Sequence, residues 1–289
     1  MAPLATGMDP ELARCLALWR LEADGAHVQT VDGAVLFVRR GAERLVLKRV
    51  GNDERAQPRV LDHWSGQGAV RLLEQADEVM LMERAWPGRP LSELVFEGRD
   101  NEATEVVCSV ISALHNDPPP DGFRTVEDWG EGFDRVRRQA LAGGAAGDII
   151  DLGQRVYADL CASQGERFLL HGDLHHDNIL EDEARGWLAI DPKGVVGELA
   201  YETGAMLRNP GKDPDVYADP AVIARRTAIL AGRLGLDAAR IIGWCFAQAV
   251  LSALWCVEDG LNAAPAWRMA GATRPLLQDA AIEPAQKGV

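Results

Sequence analysis

Two carboxylates and a side-chain amide have the types and spacing to do chemistry. In the run His171-Gly172-Asp173-Leu174-His175-His176-Asp177-Asn178, an aspartate precedes an asparagine by five positions, and Asp191 follows thirteen residues later. Phosphoryl transfer from ATP needs one carboxylate to accept the attacking hydroxyl's proton. It also needs an amide and a second carboxylate to hold the magnesium ions that bridge the phosphates. Asp173 fits the first task, and Asn178 and Asp191 fit the second. His171 and His175 are four apart, as in a zinc-binding helix. Gly172 breaks a helix, however, the glutamate at the second position is missing and no third protein ligand is apparent. His171 is expected to brace the loop, His175 to order its carboxylates and His176 to face solvent.

These residues need elements to position them. Residues 9–24 carry apolar positions at helical steps, with Asp9 as N-cap and Pro10 at the first helical position. Short stretches rich in Val, Leu and Phe follow at 27–30, 34–39 and 44–50, separated by Asp32-Gly33 and Gly41, and predict consecutive antiparallel strands. A short helix over 57–66 and strands over 69–73 and 79–83 complete a small β-rich lobe that ends near residue 85. Helices are expected over 102–116, 129–142 and 148–163. Strand-like stretches at 178–181 and 187–190 bring Asn178 and Asp191 into place, and the remainder reads as helical apart from the loop 208–220. Gly66-Gln67-Gly68 follows a helix and precedes a strand, the reverse of a dinucleotide-binding turn.

Composition narrows the partners. The 289 residues carry 44 acidic and 30 basic side chains, a formal net charge of −14. That balance excludes a nucleic-acid-binding role, which needs a basic stripe, and favours a cationic small molecule. The N-terminal residues show no basic and apolar signal pattern, which predicts a cytoplasmic protein. The apolar run 241–257 holds Gln248 and Ser252, so it reads as a buried helix and predicts no membrane association. Five scattered cysteines without a CxxC pair fit reduced thiols. The oligomeric state is left open.

The segments HGDLHHDNIL (171–180) and WLAIDPKGVVGE (187–198) resemble the aminoglycoside phosphotransferases, and most closely their streptomycin 6-kinase, or aminoglycoside/hydroxyurea resistance kinase, branch. WSGQGAVRLLE (64–74), LMER (81–84), LRNP (207–210) and LSALWCVEDG (251–260) share the likeness. The resemblance implies an α+β, protein-kinase-like two-lobed fold, with residues 1–84 as the nucleotide-binding lobe and 85–289 as the catalytic and substrate-binding lobe. It implies ATP and Mg2+ as cofactors and a hydroxyl of an aminoglycoside as acceptor, the 6-hydroxyl of streptomycin foremost. Another antibiotic, or a metabolic amine, sugar or alcohol, is the alternative acceptor. Pro192-Lys193, where Phe-Gly is usual in kinases, motivates a third reading, a pseudokinase-like binding protein.

The same resemblance gives further residues their roles. Lys48, a lone lysine in the apolar strand LVLKRV, would pair with the α- and β-phosphates, against the alternative of an edge-strand lysine reaching solvent; Glu54 would orient it, and Gln57, one turn later, is the competing position. The turn holding Asp32 and Gly33 would cover the phosphates, although an ordinary Asp-Gly hairpin fits equally. Backbone groups between Glu83 and Ala85 would bind the adenine edge. Glu198 is a helix-cap candidate, and Glu202 either accepts hydrogen bonds from the catalytic loop or simply meets a helix dipole. Trp255, Glu258 and Asp259 would receive cationic groups, against the alternative of core tryptophans and a solvated acidic end. Apart from the resemblance, Asp213 and Asp215 in the loop after LRNP would either close over substrate or belong to an exposed Pro-Asp-rich loop.

Overall fold

Asp9 caps the first helix in the computed structural model, which describes residues 8–29, 33–115, 117–211 and 214–277. Its carboxylate accepts hydrogen bonds from the N–H groups of Glu11 and Leu12 at 3.0 and 3.3 Å, and Pro10 opens helix α1 (Pro10–Leu18). The helix stops well short of residue 24. Arg20 adopts a left-handed φ of 54°, and the next residues extend into a strand. Strands β1 (Glu22–Gln29), β2 (Ala34–Arg40) and β3 (Glu43–Arg49) follow, then helix α2 (Gln57–Trp64), β4 (Leu72–Ala76), β5 (Val79–Glu83) and β6 (Pro87–Pro90). The first five strands form one antiparallel sheet in the order β1-β2-β3-β5-β4. Leu12, Cys15 and Leu16 of α1 bury against Leu36, Val38, Leu45, Leu47 and Leu81. Ala69, expected at the start of a strand, instead bridges Ala189 in parallel.

The chain divides into two compact units that do not correspond to one cut near residue 85. Met1–Arg89 and Leu180–Lys193 form the first; Pro90–Ile179 and Gly194–Val289 form the second. In the second unit come α3 (Ser92–Phe96), α4 (Asp100–Leu114), α5 (Val126–Gly130), α6 (Gly132–Ala142), α7 (Gly147–Ala162) and β7 (Arg167–Leu170). The helix expected over 129–142 is thus two helices, broken between Gly130 and Gly132. Strands β8 (Ile179–Asp182) and β9 (Gly186–Ala189) join β6 in a three-stranded sheet. Strand β10 (Val195–Glu198) pairs with β7 (Arg167–Leu170), and neither was expected as a strand from the sequence.

Helices α8 (Leu199–Leu207), α9 (Pro214–Tyr217), α10 (Pro220–Leu234), α11 (Ala238–Glu258) and α12 (Ala264–Thr273) complete the second unit. Helix α11 is the buried helix expected over 241–257. Among the described residues it is the one helix long and apolar enough to cross a membrane, and 72% of its most apolar window is buried. It approaches α7 closely at Gly153, where a Cβ would meet Val250 at 2.8 Å. Trp244 of α11 packs edge-on against Tyr157 and Tyr201 with ring centroids 5.2 and 4.9 Å apart. Glu198 occupies the N-cap position of α8 without capping it. Its carboxylate turns inward to accept from Arg240 and from the Trp244 indole N–H, because a buried carboxylate needs charged and polar partners.

Candidate active site

In the second unit, the loop between β7 and β8 is held from below by one carboxylate. Glu202, in the first turn of α8 and buried to 1% exposure, accepts from the His171 N–H at 2.6 Å and the Gly172 N–H at 3.0 Å. His115 Nε2 lies 3.3 Å from the same group. Burial alone would raise the Glu202 pKa, but His115, His171 and the backbone donors outweigh it and hold the carboxyl below its usual range. Gly172 is required where it stands. Its φ is +82°, and a Cβ would meet Trp129 at 2.7 Å.

The loop then orders itself. The Asp173 N–H donates to His171 Nδ1 at 3.2 Å, and the Asp177 N–H donates to His175 Nδ1 at 3.2 Å, capping a single 3₁₀ turn over His176–Asn178. His175 Nε2 is 3.9 Å from the Asp173 carboxylate. Asn178 Nδ2 donates to the Asp173 carbonyl at 2.9 Å, so the amide presents its oxygen as the end suited to a cation. The Ser92 hydroxyl donates to Asp177. His176 does not face solvent: it is fully buried, and burial, followed by the nearby Arg226 charge, drives its pKa down to about 3. Leu174 and Ile179 bury on either side of it, so the short loop carries its neighbour inward as well.

In the first unit, Lys48, Glu54 and Asp191 come together. Lys48 Nζ, on β3 and nearly inaccessible to solvent, lies 2.8 Å from Glu54 Oε2 and 3.1 Å from Asp191 Oδ1. Glu54 rather than Gln57 therefore pairs with the lysine. Gln57 donates to Asp191 Oδ1 at 3.2 Å, and its own buried Oε1 has no partner. Asp191 follows β9 with a left-handed φ of 58°. Burial would raise the Glu54 pKa, but hydrogen bonding and charge from Lys48 and then Lys193 hold it low. Among the described residues, no three His, Cys, Asp or Glu side chains form a metal cluster. The Asp191 carboxylate in this unit and the Asn178 amide oxygen in the other are each hard oxygen donors of the kind that suits Mg2+.

The other expected residues fall differently. Gly33 is buried and its carbonyl accepts from Gln29 Nε2 at 2.8 Å; Asp32 and Asp213 lie outside the described residues, as does the Asp215 side chain. The Glu83 N–H donates to the Arg71 carbonyl, and its carboxylate accepts from Arg185 and the Arg71 N–H, so β5 and its neighbours occupy these groups; Ala85 is buried. Trp255 stands edge-on to Trp129, centroids 5.8 Å apart, and it is Trp129 that lies against Gly172. Glu258 is not free to receive a cation. Arg135 of α6 donates to both its oxygens at 2.7 and 2.9 Å, and this hydrogen bonding lowers its pKa. Asp259 is the C-cap residue of α11.

Sequence reasoning missed Trp129, Arg135 and Ser92, and noted Lys193 only as a departure from the kinase pattern. The capping box Thr125-x-x-Asp128 signals the helix that carries Trp129, but the partners of the others are distant in sequence.

Comparison with known proteins shows the family and the fold. A model of the aminoglycoside/hydroxyurea antibiotic resistance kinase family matches residues 18–260. Streptomycin 3''-kinase of Klebsiella pneumoniae is 34% identical over 250 residues, covering 84% of this chain and 91% of that protein. Streptomycin 6-kinase of Streptomyces griseus is 31% identical over 276 residues, covering 89% and 85% respectively. A solved structure, a thermostable mutant of the aminoglycoside phosphotransferase APH(4)-Ia in ternary complex with ADP and hygromycin B, matches with a TM-score of 0.66 and 15% identity over 94% of this chain and 99% of that one. The fold is protein-kinase-like, and the chain belongs to the aminoglycoside/hydroxyurea antibiotic resistance kinase family.

Proposed function

We propose that this chain is an ATP- and Mg2+-dependent kinase of a cationic aminoglycoside, with the 6-hydroxyl of streptomycin as acceptor. The observation that carries the chemistry is the buried Lys48, held between Glu54 and Asp191 at 2.8 and 3.1 Å. A buried ammonium oriented by one carboxylate and adjoining a second is the arrangement a triphosphate requires. Lys48 neutralises the α- and β-phosphates. Asp191 and the Asn178 oxygen would hold Mg2+, which would offset the charge of the phosphates. Asp173 accepts the proton of the attacking hydroxyl, and His171, Gly172 and Glu202 fix its loop. The turn of Asp32 and Gly33 covers the phosphates, and backbone groups between Glu83 and Ala85 other than the engaged Glu83 and Arg84 N–H groups serve the adenine edge; Trp255, with Trp129 beside it, receives the cationic acceptor, and Asp259 adds charge at the end of α11.

A second acceptor position has an observation in its favour: the 3''-kinase relative is 34% identical with 91% of its length covered, while a 6-kinase of Streptomyces glaucescens is equally 34% identical with 80% covered. Magnesium-dependent ADP release with streptomycin, followed by phosphorus NMR of the product, separates them. Phosphate coupled to a streptidine-ring proton supports the 6-hydroxyl, and coupling on another sugar ring selects the 3'' reading. Nucleotide binding without turnover across streptomycin, other aminoglycosides and hydroxyurea would replace both with a ligand-binding protein. Trp255→Ala is expected to raise the acceptor KM about two- to thirtyfold and leave the ATP KM unchanged, as loss of one cation–π contact predicts. Equal KM values in variant and wild type would remove Trp255 from the acceptor site.

A further inference from the structure

Lys193 stands two residues after Asp191, where kinases place glycine, and the structure gives it a specific contact. Its Nζ lies 3.1 Å from Glu54 Oε1, while Lys48 Nζ lies 2.8 Å from Glu54 Oε2. One carboxylate thus bridges two ammonium groups, each on its own oxygen. The backbone beneath that carboxylate is short. Glu54 ends a three-residue 3₁₀ turn, Asn52–Glu54, whose cap residue Gly51 supplies no side-chain hydrogen bond, and α2 begins only at Gln57. A glutamate inside a long helix has its direction set by neighbouring turns. On this turn, the second lysine supplies the missing constraint.

We propose that Lys193 is a positioning residue for the nucleotide: by occupying one oxygen of Glu54 it aims the other at Lys48 and keeps Lys48 available to the phosphates. The inference rests on the proposed kinase function, because it takes Lys48 as the phosphate-binding lysine. Without Lys193, both oxygens of Glu54 turn to Lys48. The ammonium then sits in a deeper electrostatic well, and a triphosphate must draw it out. The Pro192-Lys193 departure is in this account part of the nucleotide machinery and no mark of a lost activity.

The test is calorimetric binding of Mg·ADP to the full chain, together with steady-state kinetics. Lys193→Met is expected to weaken Mg·ADP about five- to tenfold and to raise the ATP KM in parallel with acceptor KM unchanged, an effect of the size that coupled neighbours show. Lys193→Arg, which keeps the charge and the reach, should restore binding to within about twofold. In a Glu54→Gln background, Lys193→Met should add nothing, because it acts through Glu54. Lys193 is a third exposed, so the Met variant should melt close to the wild type, and a melting curve checks this. Wild-type binding by Lys193→Met, or a full additive loss in the double variant, overturns the inference. If Lys48→Met binds as wild type does, or wild type binds no nucleotide, the proposed function falls and the inference with it. If Lys48→Met alone loses binding, only the inference falls.

Discussion

Asp173→Asn should lose about 10²–10⁴-fold in kcat while binding nucleotide as the wild type does, the range expected when a general base is removed. The substitution exchanges one oxygen for an amide nitrogen and leaves the loop's shape in place. The bonds that fix Asp173 run through its backbone, from its N–H to His171 Nδ1 and from Asn178 Nδ2 to its carbonyl, so the side-chain change does not disturb them. Turnover at saturating ATP and streptomycin, beside calorimetric binding of Mg·ADP, separates the two effects. Turnover at the wild-type rate would remove Asp173 from the proton's path.

Glu202→Ala is expected to cost about 1–3 kcal/mol of stability or somewhat more, since it strands the buried His171 N–H and also removes the acceptor of the part-buried Gly172 N–H. The same change frees the His171-Gly172 backbone and so slows turnover in whatever protein remains folded. The charge itself is read by Glu202→Gln, which keeps an acceptor oxygen. Because the folded pKa of Glu202 is depressed, its ionised form contributes stability that is fully present above the unfolded carboxyl value of about 4.3 and is lost as pH falls through the folded value. The gap between wild type and Glu202→Gln in urea denaturation should therefore be widest at neutral pH and narrow below about pH 4. A gap independent of pH would mean that the charge of Glu202 contributes nothing.

The catalytic loop was legible because its chemistry fixes residue type and spacing together, so Asp173, Asn178 and Asp191 could be picked out from the sequence. The five-stranded sheet was legible in outline, since stretches rich in Val, Leu and Phe between turn residues mark strands locally, although the fourth runs over Leu72–Ala76 and not 69–73. What stayed hidden depends on partners far along the chain. The reach of α1 was overestimated because Trp19 continues the helical apolar period, while the pairing of Glu22 with Arg39 and Ala23 with Val38 claims the following residues for the sheet. His176 reads as polar surface, yet the buried residues flanking its turn carry it inside. Glu258 looks like a free carboxylate until Arg135, more than a hundred positions earlier, is found on it. Lys193 looks like a motif defect until Glu54 is found beneath it.

The return of residues 180–193 to the first unit bears on how relatives can be recombined. Exchanging everything after residue 89 between two family members, to transplant acceptor preference, also exchanges the hairpin that carries Asp191 and Lys193. The recipient's Glu54 and Lys48 would then face a foreign partner set, and a chimera built that way mixes two changes. A graft that respects the division takes 90–179 and 194–289 from the donor as two inserts and leaves the intervening hairpin native, so that any shift in acceptor choice is attributable to the transplanted unit alone.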